Sequence, residues 1–135
     1  MKATDIAFVK LVGIKQDEKD VSLEYKDDVL NHIESIHASA QFTLAETQSG
    51  LHLQKLFPEL EGKVIPVLRD ANVKYRKPAL KKIVAFASVD EENLTKFKEH
   101  FSKKGRGLIE ISVDVKDIDC VCTSSAVFSW FVQKI

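Results

Sequence analysis

Asn31-His32-Ile33-Glu34-Ser35-Ile36-His37-Ala38-Ser39-Ala40-Gln41-Phe42-Thr43-Leu44-Ala45-Glu46-Thr47 decides how the rest of the chain is read. It reads as the entry and body of a helix, apolar on nearly every side, with one carboxylate, Glu46, in its middle. The helix is expected to start near Ser35 to His37 and to run to about Phe57, where Pro58 closes it. Gly50 inside that span either splits the helix or permits close packing. Leu51, Leu53, Leu56 and Phe57 extend the apolar surface. A helix of this kind is wrapped by other structure rather than laid on a surface. An ionised group within it is costly unless something pairs with it or uses it.

Working outward, Ile6 to Ile14 is apolar and too short for periodicity to separate helix from strand. Asp17-Glu18-Lys19-Asp20 reads as a polar turn, and Val21 to Tyr25 alternates as a half-buried strand does. Beyond the helix, Val64 to Tyr75 reads as extended, with Pro66 on an edge or at a bulge. Lys82 to Val89, Leu108 to Val115 and Val121 to Val132 supply three more strands. A small helix is expected over 90–101, with Leu94, Phe97 and Phe101 on one face and its acidic end leading, which suits the helix dipole. One strand, a long helix and then four strands predict an α+β protein. Its antiparallel sheet would curl around the helix in a hotdog fold.

The 135 residues fit a single domain spanning 1–135 with a core of its own. Hydrophobic residues make up 44% and charged residues 30%, and 20 basic side chains balance 20 acidic ones, which gives no global field for nucleic acid or an anionic membrane. Cys120 and Cys122, the only cysteines, are expected on one face of a strand as buried reduced thiols. Met1 leads directly into Lys2-Ala3-Thr4-Asp5 without an apolar signal segment, and no run is long enough to span a bilayer, so a cytoplasmic protein is expected. No His/Cys cluster or H-E-x-x-H pattern occurs, and no metal is expected.

The run His37 to Thr47 resembles the hotdog-fold acyl-CoA thioesterases of the phenylacetic-acid-pathway type. Their helix start reads H-G-G and is followed by an L-A-D-T-like run. His37 takes the His position, Glu46 the acidic position, and Asn31 lies six residues before His37, where that family carries an Asn. Tyr75-Arg76-Lys77-Pro78-Ala79 is similar to the family's x-Y-x-x-P-A turn. The Ala-Glu form of the motif and the helix at 91–101 look more like an uncharacterised thioesterase-like, DUF4442-type branch. The resemblance implies hydrolysis of an acyl-CoA with Glu46 as general base or nucleophile. Asn31 would position water or the carbonyl beside His37, and the helix amides of Ala38 and Ser39 would receive the oxyanion. Such donors are worth about 3–4 kcal/mol in a preorganised site. It also implies a homodimer, or a tetramer, with Glu46 of one subunit facing Asn31 and His37 of the other. No cofactor is implied, coenzyme A entering as part of the substrate.

The sequence departs from the family pattern at three places. Ala38 and Ser39 stand where the Gly pair would be, and Leu68 stands where some relatives place a strand Ser or Thr. A non-catalytic acyl-CoA or fatty-acyl binding protein is therefore the alternative. A hotdog dehydratase is disfavoured by the absence of an H-F-x-G-x-P-type run. Residues 74–106 carry ten basic against four acidic side chains. Arg76, Lys77 and Arg106 are the candidates for the phosphates of coenzyme A. Aromatics interleaved with that patch, which nucleic acid would require, are lacking.

Overall fold

The computed structural model describes residues 2–18 and 20–135. Its elements are α1 (Ala7–Val12), β1 (Lys15–Gln16), β2 (Val21–Leu23), α2 (Ala38–Leu56), β3 (Val64–Tyr75), β4 (Ile83–Ser88), α3 (Glu91–Lys104), β5 (Arg106–Asp117) and β6 (Cys122–Lys134). The six strands form one antiparallel sheet in the order β1-β2-β4-β5-β6-β3, and α2 packs against its inner face. This is the hotdog arrangement.

Strand β5 shows why the sheet curls around the helix. Gly107, Ile109, Ile111, Val113 and Val115 are buried in strict alternation, whereas Glu110, Ser112 and Asp114 face outward. Phe128 of β6 meets Phe42 of α2 edge to face, with ring centroids 5.5 Å apart. Leu44, Leu23, Ile83 and Ala85 complete the same core.

The ambiguous segment after Ile6 is a helix. Gly13, at φ +91°, ends it by donating its N–H to Lys10 and Val9 carbonyls. The turn that follows closes through Asp17, whose Oδ1 accepts from Asp20 N–H; Lys19 lies outside the described residues. Strand β1, only two residues long, pairs with β2 and carried no periodic signal.

The long helix is unbroken at Gly50 and ends as expected, with Phe57 as its C-cap before Pro58. Its surroundings differ from the expectation. Gln41, Thr43, Thr47, Gln48 and Ser49 are buried beside Leu44, Ala45 and Leu51, so the helix is enclosed without being apolar. Each polar group is bonded. Thr43 and Thr47 donate to carbonyls four residues back, Gln48 donates to Ala85 O on β4, and Gln41 accepts from Thr123 on β6. Satisfied in this way, buried polar groups cost little.

The cysteines do not lie as expected. Asp117 Oδ1 accepts from the amides of Asp119 and Val121, which folds 117–121 into a turn rather than strand. Cys120 sits exposed in that turn at φ +66°, and Cys122, half-buried, opens β6. At the sheet's other end α3 is anchored by Phe97, which packs between the rings of Phe57 and Phe101, at 5.2 and 5.5 Å, and over Gly107. Strand β3 is an edge: Pro66 lies opposite Val132, and the ladder to β6 is bulged at Arg69. Among the described residues no helix is long and apolar enough to cross a membrane.

Candidate active site

The turn Asn31–Ser35 sets where α2 begins. Asn31 Oδ1 accepts from the amides of Ile33 and Ser35, each at 3.0 Å, and its Nδ2 donates to Ser35 Oγ at 2.9 Å. The Asn31 side chain is thus spent on the turn, which also holds Glu34 at φ +59°. His37 follows as the N-cap, its Nδ1 accepting from Ser39 N–H at 2.9 Å. An imidazole here does what a Ser or Asp cap does for the orphan amides of a helix start. The consequence for the site is direct. The Ser39 amide is taken, whereas the Ala38 amide has no partner among the described residues. Tyr75, at the end of β3, donates its hydroxyl to Ala38 O at 3.1 Å and so ties this turn to the sheet edge.

From that end a stripe of α2 residues, Ser39, Phe42, Glu46, Gly50, Leu53 and Phe57, lines a cavity of about 880 Å³. Their spacing of three and four places them on one helix face. Val64, Pro66 and Tyr75 of β3 with Trp130 and Val132 of β6 form the facing wall, and Ala3, Ile6 and Val9 close a third side. The volume falls in the roughly 300–1,000 Å³ range of small-molecule pockets. Trp130 is fixed by its Nε1–H, which donates to Ser49 Oγ at 2.9 Å.

Glu46 is half-buried in this lining, and its carboxylate has no hydrogen bond or ion pair among the described residues. Burial raises its pKa above the ordinary carboxylate value. A carboxylate made more basic by desolvation and left without a cation is what a general base requires. The Ala38 amide and Glu46 lie eight residues apart on α2, about 12 Å along the axis.

The expected phosphate-binding residues are divided. Arg76 follows Tyr75, a lining residue, in the chain, its Nε donating to Ser125 Oγ at 3.1 Å, and Lys77 is next to it. Arg106 pairs with Gln133, whereas Tyr75 pairs with Ser124, so nine residues of β6, about 30 Å, separate the two ends. Leu68 faces Trp130 across the ladder and is half-buried against the core, with no hydroxyl to offer. Neither Tyr75 nor Trp130 is given a role in the site by the sequence. Their partners, Ala38 and Ser49, are 37 and 81 positions away. The only local sign of them was the Tyr in the x-Y-x-x-P-A run.

Comparison with solved structures finds the same fold. A Pseudomonas aeruginosa protein of unknown function, described as a probable thioesterase, superposes with a TM-score of 0.81 at 20% identity, covering 98% of this chain and 91% of that one. A Bacillus halodurans protein solved with CoA gives 0.73 at 23% identity, over 93% and 75% of the two chains. A thioesterase from Haemophilus influenzae gives 0.75 at 17% identity, over 97% and 85%. No curated protein matches the sequence significantly. The family model for a domain of unknown function, DUF4442, matches residues 7–132. This chain belongs to the DUF4442 family and is built on the hotdog fold.

Proposed function

We propose that the protein hydrolyses an acyl-CoA thioester, with Glu46 as the general base. The observation that carries this reading is the Glu46 carboxylate, half-buried in the cavity lining and without an ion-pair partner among the described residues. Water attacks the thioester carbonyl as Glu46 takes its proton. The oxyanion accepts from a helix N-terminal N–H, with the positive end of α2 behind it. The tetrahedral intermediate collapses with cleavage of the C–S bond, and the thiolate leaves with the proton that Glu46 returns. The products are a carboxylic acid and free coenzyme A.

The 12 Å between Ala38 and Glu46 on one helix supports a site shared by two copies of the chain. The Ala38 amide of one would face Glu46 of the other, giving a homodimer or a tetramer formed by two such dimers. Asn31 and His37 then act as positioning residues, since their side chains hold the turn and the cap. Arg76 and Lys77, beside the turn that Tyr75 ties down, suit the coenzyme A phosphates. Arg106 stands too far along the sheet to join them. The Bacillus halodurans relative solved with CoA supports a ligand of that class.

One observation favours a second reading, binding without turnover. His37 occupies the Ser39 amide, which leaves a single donor at the helix start. Free-thiol release from a panel of acyl-CoAs, measured beside Glu46→Ala and Glu46→Gln, separates the two. Release that vanishes in both variants is expected. Ligand-dependent thermal shifts without thiol release would establish the binding reading instead.

A further inference from the structure

One end of the cavity is closed by aromatic rings, and the register of the sheet locates it. Gly107 of β5 pairs with Val132 of β6, and Val132 pairs with Pro66 of β3, so the three lie at one level across the sheet. Phe97 of α3 packs over Gly107, where an added Cβ would stand 3.2 Å from its ring. Phe57, the C-cap of α2, meets Phe97 with ring centroids 5.2 Å apart and so belongs to the same level. Phe57, Val132 and Pro66 all line the cavity, whereas Phe97 does not. The Phe57 ring is therefore the partition between the cavity and α3. The opposite end is marked by Tyr75, which pairs with Ser124, eight residues of β6 or about 27 Å from Val132.

The partition is firmly backed. Phe57 is 8% exposed and Phe97 1%, and Phe101 stacks on Phe97 at 5.5 Å. A ring held in this way cannot turn aside without displacing α3 from β5, and close-packed interiors yield little. Between Glu46 and Phe57 the walls are mainly apolar, with Leu53, Val9, Val64 and Val132 among them. Trp130 packs against Gly50, an added Cβ there standing 3.6 Å from the indole, so helix and strand touch and form a floor. From Glu46 to Phe57 the helix runs about 16 Å.

We propose that Phe57, backed by α3, sets the longest acyl chain the protein accepts. The hydrocarbon runs from Glu46 over the floor made by Gly50 and Trp130 and stops against the Phe57 ring. An extended chain advances about 1.2 Å per bond, so this track admits roughly ten to twelve carbons. The substrate class is a medium-chain acyl thioester. The proposal rests on the hydrolytic reading for the bond that breaks, but the length limit is also read from binding alone.

The experiment uses the full chain and its Phe57→Leu and Phe57→Trp variants with hexanoyl-, decanoyl- and tetradecanoyl-CoA. In parallel, calorimetric binding is measured with the non-hydrolysable hexyl, decyl and tetradecyl thioethers of coenzyme A. The parent should favour the decanoyl chain over the tetradecanoyl one. Phe57→Leu, which thins the partition, should raise the tetradecanoyl-to-decanoyl ratio of kcat/KM about tenfold, the scale of an apolar pocket altered by a methylene or more. Phe57→Trp, which thickens it, should lower the decanoyl-to-hexanoyl ratio by a similar factor. A general loss of packing cannot move the two variants in opposite directions, and either one decides the question if the other does not fold. The thioether affinities should follow the same order. If nothing is hydrolysed but the thioethers behave this way, hydrolysis fails and the length limit stands. If turnover is found and both variants keep the parent's chain-length profile, or all chain lengths fall together, the proposal is overturned while hydrolysis stands. A parent that takes tetradecanoyl-CoA as readily as decanoyl-CoA would also overturn it. A parent that neither turns over an acyl-CoA nor binds a thioether overturns both readings.

Discussion

Replacing His37 by alanine separates the two things an imidazole at the head of α2 can do. The change deletes one hydrogen bond, from Ser39 N–H to Nδ1 at 2.9 Å, at an exposed position. Loss of an N-cap costs about 0.5–2 kcal/mol, and here water can reach the freed amide, so about 0.5–1 kcal/mol is expected. Unfolding entropy of roughly 2.1 cal/mol/K per residue gives this chain about 0.3 kcal/mol per degree, and the cost becomes a drop of about 2–4 °C in Tm. Asparagine can supply the same acceptor, so His37→Asn should restore most of that loss. Thermal melts followed by circular dichroism would read both variants, and thiol release would be measured on the same samples. Since Nδ1 is committed to the helix, kcat/KM should stay within a fewfold of the parent in His37→Asn. An Asn variant with native Tm and a hundredfold loss of kcat/KM would refute the reasoning and make the imidazole a participant in the chemistry. An unchanged Tm in His37→Ala would refute the capping argument itself.

Two further outcomes follow from the packing. Burial raises the folded-state pKa of Glu46 above its unfolded value near 4.5, so the folded state favours the protonated form. The resulting stability is full below the unfolded pKa and is lost as pH rises through the folded one. In Glu46→Gln, Tm relative to the parent should therefore climb as pH rises above about 4.5. In the parent, the acid limb of kcat/KM should lie above the ordinary carboxylate range. Lys2 and Glu61 share the cavity, so the melts should be repeated with each neutralised. A Tm difference flat across that range would exclude a desolvated Glu46. Gly107→Val places a branched side chain where a Cβ alone would stand 3.2 Å from the buried ring of Phe97. Overpacking of this kind costs about 1–3 kcal/mol, read as a lower urea midpoint at constant slope. A midpoint within error of the parent would show that the α3 contact yields freely.

Most of the fold was legible because its signals were local. The alternation in β5 and the stop at Pro58 needed no partner to be read. What escaped depended on contacts distant in sequence or on single rotamers. The two residues of β1 are too few to show a period, and the Asp117 turn that lifts Cys120 out of the sheet is made by one carboxylate. The basic patch illustrates the limit well. Arg76 and Arg106 looked like neighbours in one charged run, but β3 and β5 run parallel on either side of β6, so the end of one and the start of the other lie far apart. At the site, Glu46 was legible as a carboxylate with no i±4 cation, since Phe42 and Gly50 occupy those positions. The capture of the Ser39 amide by His37 was not, because it depends on which way the imidazole turns.

The polar bonds around α2 have a mechanical meaning. A smooth aliphatic helix in an aliphatic wrap could settle at several angles about its own axis at similar energy. Gln41 bonded to β6 and Gln48 bonded to β4 share one face of the cylinder, Ser49 bonded to Trp130 stands about 100° round from Gln48, and the three act as keys. A shift by one residue turns the helix by about 100° and would swing Glu46 out of the cavity and break all three bonds. The buried amides and hydroxyls thus aim the carboxylate, and tolerance to mutation at Gln41, Gln48 and Ser49 should follow that aim more than bulk hydrophobicity.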